Sequence, residues 1–125
     1  MKPYNGGEWT AARFHSFVKG ALRSATMRWG PKFRALDKAF VGRKTNRKTG
    51  RIAKHFRCAC CDKDFPSSEV VVDHINPVVC PIQGFVSWDV LVERMFCEVD
   101  GFQVLCKPCH KIKCAEETKI RKANK

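Results

Sequence analysis

A chain of 125 residues makes one domain, or one small domain with an appendage. Lys and Arg total 24 against 12 Asp and Glu, a formal charge of +12, which favours a polyanionic partner, most commonly nucleic acid. There is no apolar run of about 20 residues and "MKPYNGGEWT" has no secretory h-region, so membrane-spanning and secreted disulfide scaffolds are set aside; in the reducing cytoplasm this implies, eight cysteines point to metal rather than disulfides.

The charge is segregated. Residues 1–57 hold 15 Lys/Arg against Glu8 and Asp37, and residues 58–125 hold 9 basic and 10 acidic side chains. The organisation follows: a basic, helical region with an arm over 1–55, and a metal-stapled core over 56–125. Nucleic acid is the expected partner, through the basic residues of 13–57.

In chain order, Trp9 to about Trp29 is predicted as a helix, with Phe14, Phe17, Val18, Ala21, Leu22 and Ala25 on one face. Thr10 is its cap and Gly30-Pro31 its stop. The aromatic stripe reads as a packed helix–helix core, and His15 as helix surface. A shorter helix follows over Lys32 to Phe40. "GRKTNRKTGRIAKH", Gly42 to His55, carries six basic residues and no acid, and reads as a hairpin arm in contact with phosphates.

The texture changes at Phe56. "FRCACCDKDF" is a tight cysteine turn and "SEVVVDHI" a strand. "SWDVLVERMFC" is a helix with Ser87 as cap and Asp89 in its first turn. "GFQVLC" is a second strand, and "KPCHKIKCAEETKIRKANK" a last helix with Pro108 near its first position. Cys58 and Cys61 form one C-x2-C knuckle, and Cys106 and Cys109 another; four thiolates satisfy tetrahedral Zn2+. Cys60 offers a competing C-x-C pairing, whereas Cys80, Cys97 and Cys114 read as buried thiols outside the metal set. His55, three residues before Cys58, reads as a strand residue.

"VVVDHINPVV", Val70 to Val79, ends a strand with an adjacent Asp and His. A turn explains this locally; a metal ligand beside a general base explains it once a zinc clasp draws His110, next to Cys109, toward the same place.

"VVVDHINPV" followed by "FQVLCKPCHKIK", bracketed by the two knuckles, resembles the HNH or ββα-metal endonucleases over about residues 56–118. More narrowly it resembles the small free-standing HNH proteins of tailed bacteriophages. The resemblance implies an α+β fold with a small zinc-stapled ββα core. It also implies a double-stranded DNA partner, contacted by region 1–55 through the basic residues of 13–57, and hydrolysis of DNA phosphodiester bonds, by nicking or double-strand cutting, to leave a 5′-phosphate and a 3′-hydroxyl. His74 corresponds to the general base, and Asp73 and His110 to ligands of a catalytic divalent ion, Mg2+ or Mn2+, with Ni2+ or Zn2+ as alternatives. The setting it implies is the cytoplasm of an infected bacterial host, with phage terminase as a candidate partner.

One position departs from the family. Its middle Asn stands two residues before the Q-x-L-C segment, and Gly101 stands there in this chain. Three readings stay open: the Gly101 carbonyl accepts from His74, Asp100, Gln103 or Asn76 substitutes, or the chain is a zinc-dependent nucleic-acid-binding or packaging accessory protein without catalysis.

Overall fold

The computed structural model describes residues 2–123. The architecture is α+β, with four α-helices and two small antiparallel sheets. Helix α1 spans Ala11–Ala25 and opens on Thr10, whose side chain accepts from the Arg13 N–H. It stops four residues before the predicted end. A 3₁₀ turn, Thr26–Arg28, intervenes before α2, Gly30–Ala39. Gly30 and Pro31 therefore start α2 instead of closing α1; a proline in the first helical turn has no intrahelical N–H bond to lose.

The three-stranded sheet is β1 Phe40–Thr45, β2 Ile52–Arg57 and β3 Asp64–Pro66, in that order and antiparallel. It forms the predicted hairpin arm and runs on across residue 55 into the first knuckle. The second sheet pairs β4, Val70–His74, with β5, Phe102–Cys106. Its register sets Val70 opposite Cys106 at one end and His74 opposite Phe102 at the other. Helix α3, Trp88–Met95, lies between these strands in sequence and is capped by Ser87 as predicted, the hydroxyl accepting from Val90 N–H. Helix α4, Lys107–Ala123, leaves directly from β5.

The core sits where these pieces meet. Phe56, Leu91, Met95, Phe102, Val104 and Leu105 are buried, and Cys58 and Cys106 lie among them. The period-two pattern of β5 breaks down because Val104, Leu105 and Cys106 are all covered: Leu105 and Cys106, on opposite faces of the strand, both pack in the cluster around Cys58. Two expectations for α1 are corrected. Its aromatic stripe is not a packed core: no residue of α1 is fully buried, Phe17 stays 59% exposed, and Phe14 stacks on Tyr4 at 4.2 Å. His15, in turn, is not free surface. Its ring lies 4.4 Å from Phe85 and 4.6 Å from Trp88, an aromatic contact that pins α1 beside the start of α3.

Candidate functional site

The β2–β3 turn and the β5–α4 junction bring the two knuckles together. The sulfurs of Cys58, Cys61, Cys106 and Cys109 all lie within 4.8 Å of one another, and the Cys61 and Cys106 sulfurs are 4.0 Å apart. Four ligands of one tetrahedral zinc, each at ~2.3 Å, have sulfurs about 3.8 Å apart. The residues fit the ion, and the cluster can hold a metal such as zinc. A backbone bond ties the knuckle to the second sheet, Ala59 N–H donating to Val104 O at 2.8 Å, and another closes the knuckle on itself, Cys58 N–H donating to Lys63 O at 2.9 Å.

The thiols are electrostatically unequal. Burial works against the Cys58 thiolate, but N–H groups of Cys61, Cys106 and Cys60 converge on its sulfur and lower its pKa from 9.0 to about 6. Cys109 is held well above the usual thiol range, first by its hydrogen bond to Cys106 and then by burial. Cys106 is raised chiefly by burial, with the Cys58 charge adding to it. One thiolate thus stands ready for a cation, and the others ionise as the ion arrives. Cys60, Cys80, Cys97 and Cys114 stay outside the cluster, but the expectation of buried thiols is corrected: Cys80 and Cys97 are only partly covered, and Cys114, on α4, is exposed.

The far end of the β4–β5 pair holds Asp73 and His74. Successive strand residues face opposite sides, and these two do. Asp73 points to α4. Its Oδ1 lies 3.5 Å from His110 Nε2, while Oδ2 accepts from Gln103 Nε2 at 3.1 Å and from Lys113 Nζ at 2.5 Å. Lys113 also donates to His74 O, at 2.5 Å. The two carboxylate oxygens therefore have separate partners: an imidazole on one, an amide and an ammonium on the other. His74 turns its ring toward Phe102, centroids 4.9 Å apart, and its Nε2 lies 2.8 Å from Met95 O. A carbonyl can only accept, so Nε2 carries the proton and, in the neutral ring, Nδ1 keeps the lone pair.

Asp73 and His74 share a cleft of about 500 Å³ despite facing different ways at the strand. Its walls carry Lys19 and Arg23 from α1 and Lys113 and Arg121 from α4, with Glu117 the other acid. The structure thus joins Asp73 to His110 directly and Asp73 to His74 through the cleft, while His110 is not among the residues that line it. Cys114 Sγ sits 3.6 Å from His110 Nε2, one helical turn along. A cleft of similar size on the first sheet contains Asp64, Glu69 and His55. Its carboxylates are taken by Lys44 at 2.6 Å and Lys48 at 2.8 Å, and His55 Nδ1 lies 2.9 Å from Ala53 O, so no carboxylate–imidazole pair is set up there.

Gly101 has a steric reason. A Cβ built there would lie 2.5 Å from Cys97 Sγ and 2.9 Å from Cys97 Cβ. Its carbonyl accepts from Ile75 N–H at 2.9 Å, so the reading in which it accepts from His74 is corrected: Met95 O takes that role. Of the proposed substitutes, Gln103 reaches Asp73, whereas Asn76 and Asp100 are exposed. Gly101→Asn is accordingly expected to destabilise the fold by about 1–3 kcal/mol through overpacking, measured as a lowered midpoint in urea.

Sequence reasoning missed Lys113. The available signal was its spacing: three residues after His110, it shares a helix face with that imidazole. Searches among protein families, curated proteins and solved structures find no match to this chain.

Proposed function

We propose that this protein is an HNH-type DNA endonuclease with a zinc-stapled ββα core formed by β4, β5 and α4. The observation that carries the reading is the split environment of Asp73 beside His74: Oδ1 faces His110 while Gln103 and Lys113 hold Oδ2. A carboxylate with one oxygen fixed and the other turned to an imidazole is an oriented two-ligand set. Asp73 and His110 would hold a divalent ion such as magnesium or manganese, and the chemistry it supplies when bound is neutralisation of charge growing on the phosphate and leaving oxygen.

The chain's own groups do the rest. His74, with Nε2–H anchored on Met95 O, takes a proton from the attacking water at Nδ1. Lys19, Arg23 and Arg121 line the cleft with cations for the phosphate backbone. The products are a 5′-phosphate and a 3′-hydroxyl, in line with the family resemblance. The test is supercoiled plasmid incubated with zinc-loaded protein across magnesium, manganese and nickel. Conversion to nicked or linear DNA only on metal addition supports the reading, and intact plasmid throughout overturns it.

Lys113 makes a further expectation. Its ammonium occupies Oδ2 and repels any ion that binds at Oδ1. Lys113→Met is expected to tighten manganese binding several-fold while weakening affinity for DNA, read by the bound fraction of Mn2+ in electron paramagnetic resonance and by DNA titration.

A second reading has its own support. Lys113 already gives Asp73 a cation, and Gly101 has no side chain to serve a site, which suits a zinc-dependent DNA-binding or packaging accessory protein. Retained duplex binding with no cleavage under any ion, together with association with terminase, would favour it.

A further inference from the structure

The β1–β2 hairpin is built beyond what a solvated charge run needs. Its turn is internally braced: Asn46 N–H donates to Arg51 O and Gly50 N–H to Asn46 O, both at 2.7 Å. The Asn46 side chain accepts from Lys48 N–H at 3.0 Å, and Asn46 is buried. A register shift between Phe40 and Gly42 marks a bulge, with Gly42 at φ +128°; bulges bend and twist a ribbon relative to the sheet.

The two faces differ in charge. On one, Lys44 is paired with Asp64 at 2.6 Å and Arg57 lies 3.4 Å from the same carboxylate. On the other, the register sets Arg43 opposite Lys54 and Thr45 opposite Ile52. Arg43, Lys54 and the turn residues Arg47 and Arg51 are exposed and form no ion pair among the described residues. Ile52, 71% exposed, stands among them. Like charges set directly across a ribbon destabilise it, so this face is held in a shape that suits an anionic partner and costs the isolated protein stability.

We propose that this hairpin is a major-groove arm for duplex DNA, with Arg43, Lys54 and Ile52 toward the base edges and Arg47 and Arg51 on the flanking phosphates. A two-stranded ribbon fits the ~12 Å major groove of B-DNA, where Arg and Lys pair with guanine and an aliphatic group meets the thymine methyl. The same ribbon does not fit the deep, narrow major groove of A-form RNA. The assignment deepens the endonuclease reading and rests on it only for DNA as the nucleic acid.

The experiment uses full-length, zinc-loaded protein carrying His74→Ala, without magnesium, and fluorescence anisotropy on a 30-base-pair duplex. Arg43→Ala with Lys54→Ala is expected to weaken binding about tenfold to a hundredfold. Lys44→Ala with Lys48→Ala removes the same charge from paired lysines and is expected to weaken it far less. Methyl green, a major-groove ligand, is expected to displace the protein, and netropsin, a minor-groove ligand, is not. Unchanged zinc content and melting midpoint check each variant's fold. Equal losses from both double variants, displacement by netropsin alone, or tighter binding to duplex RNA or single strands would overturn the proposal. The two readings separate: plasmid left intact while these binding results hold sinks the nuclease alone, and cleavage undiminished by the Arg43/Lys54 pair sinks the arm alone.

Discussion

His74→Ala is expected to abolish metal-dependent cleavage of plasmid DNA while zinc content, thermal midpoint and DNA affinity stay close to those of the parent protein. General-base catalysis contributes about 10²–10⁴-fold, so a plasmid nicked within minutes by the parent would take from hours to weeks with the variant. The fold should survive. The side chain is half-buried at the cleft, and its one anchoring bond, Nε2 to Met95 O, contributes only about 1 kcal/mol net. The sensitive control is Asp73→Asn, which removes the charge from the same strand end while keeping an acceptor for Lys113. If His74 supplies the base and Asp73 holds the ion, both variants lose cleavage, but only Asp73→Asn weakens manganese binding. Cleavage by His74→Ala at the parent rate would end the assigned role.

The largest stability effect is expected from the sulfur cluster. Structural zinc contributes apparent folding free energies of about 10–16 kcal/mol in small domains, as much as the whole stability that a 125-residue chain normally has, about 5–15 kcal/mol. Cys106→Ser, or a strong chelator, should therefore cost the protein its cooperative melting transition, while Cys60→Ser and Cys80→Ser should leave it in place and the zinc stoichiometry at one per chain. Acid should act in the same direction. Cys58 is depressed to about 6, so its thiolate is present at neutral pH and is lost as the pH falls through that value. The raised thiols of Cys106 and Cys109 must release protons for the ion to bind. Zinc affinity, followed by competition with a chromophoric chelator, should drop steeply from pH 7 to pH 5.5. A flat profile, or a folded and cooperative Cys106→Ser protein, would remove the cluster from its structural role.

Local signals were the legible ones. The C-x2-C spacings, the Ser87 and Thr10 caps and the run of β-branched residues in "SEVVVDHI" are each set within a few residues, and the sulfur cluster, both caps and a strand over Val70–His74 are found in place. What escaped was set by long-range contact. Lys113 resembles its neighbours Lys111 and Lys119 until β4, 40 residues away, brings a carboxylate to it. His15 has no metal-like or core-like pattern of its own, and only the fold supplies Phe85 and Trp88. Gly101 reads as a missing side chain, although the space its side chain would fill is held by Cys97. The aromatic stripe of α1 misled for the converse reason: periodicity identifies a helix face but not how much of it finds a partner.

The β4–β5 pair carries cysteine sulfur at one end and the Asp73–His74 step at the other, with Val70 facing Cys106 and His74 facing Phe102. A strand that slides by one residue exchanges its two sides completely. Such a slip would swing Asp73 away from α4 and put His74 against Lys113. Anchoring a single cysteine thus selects which neighbour looks which way at the far end of the strand paired with it, so a chain refolded without its ion should be prone to dead, misaligned isomers that adding the ion later rescues slowly or incompletely.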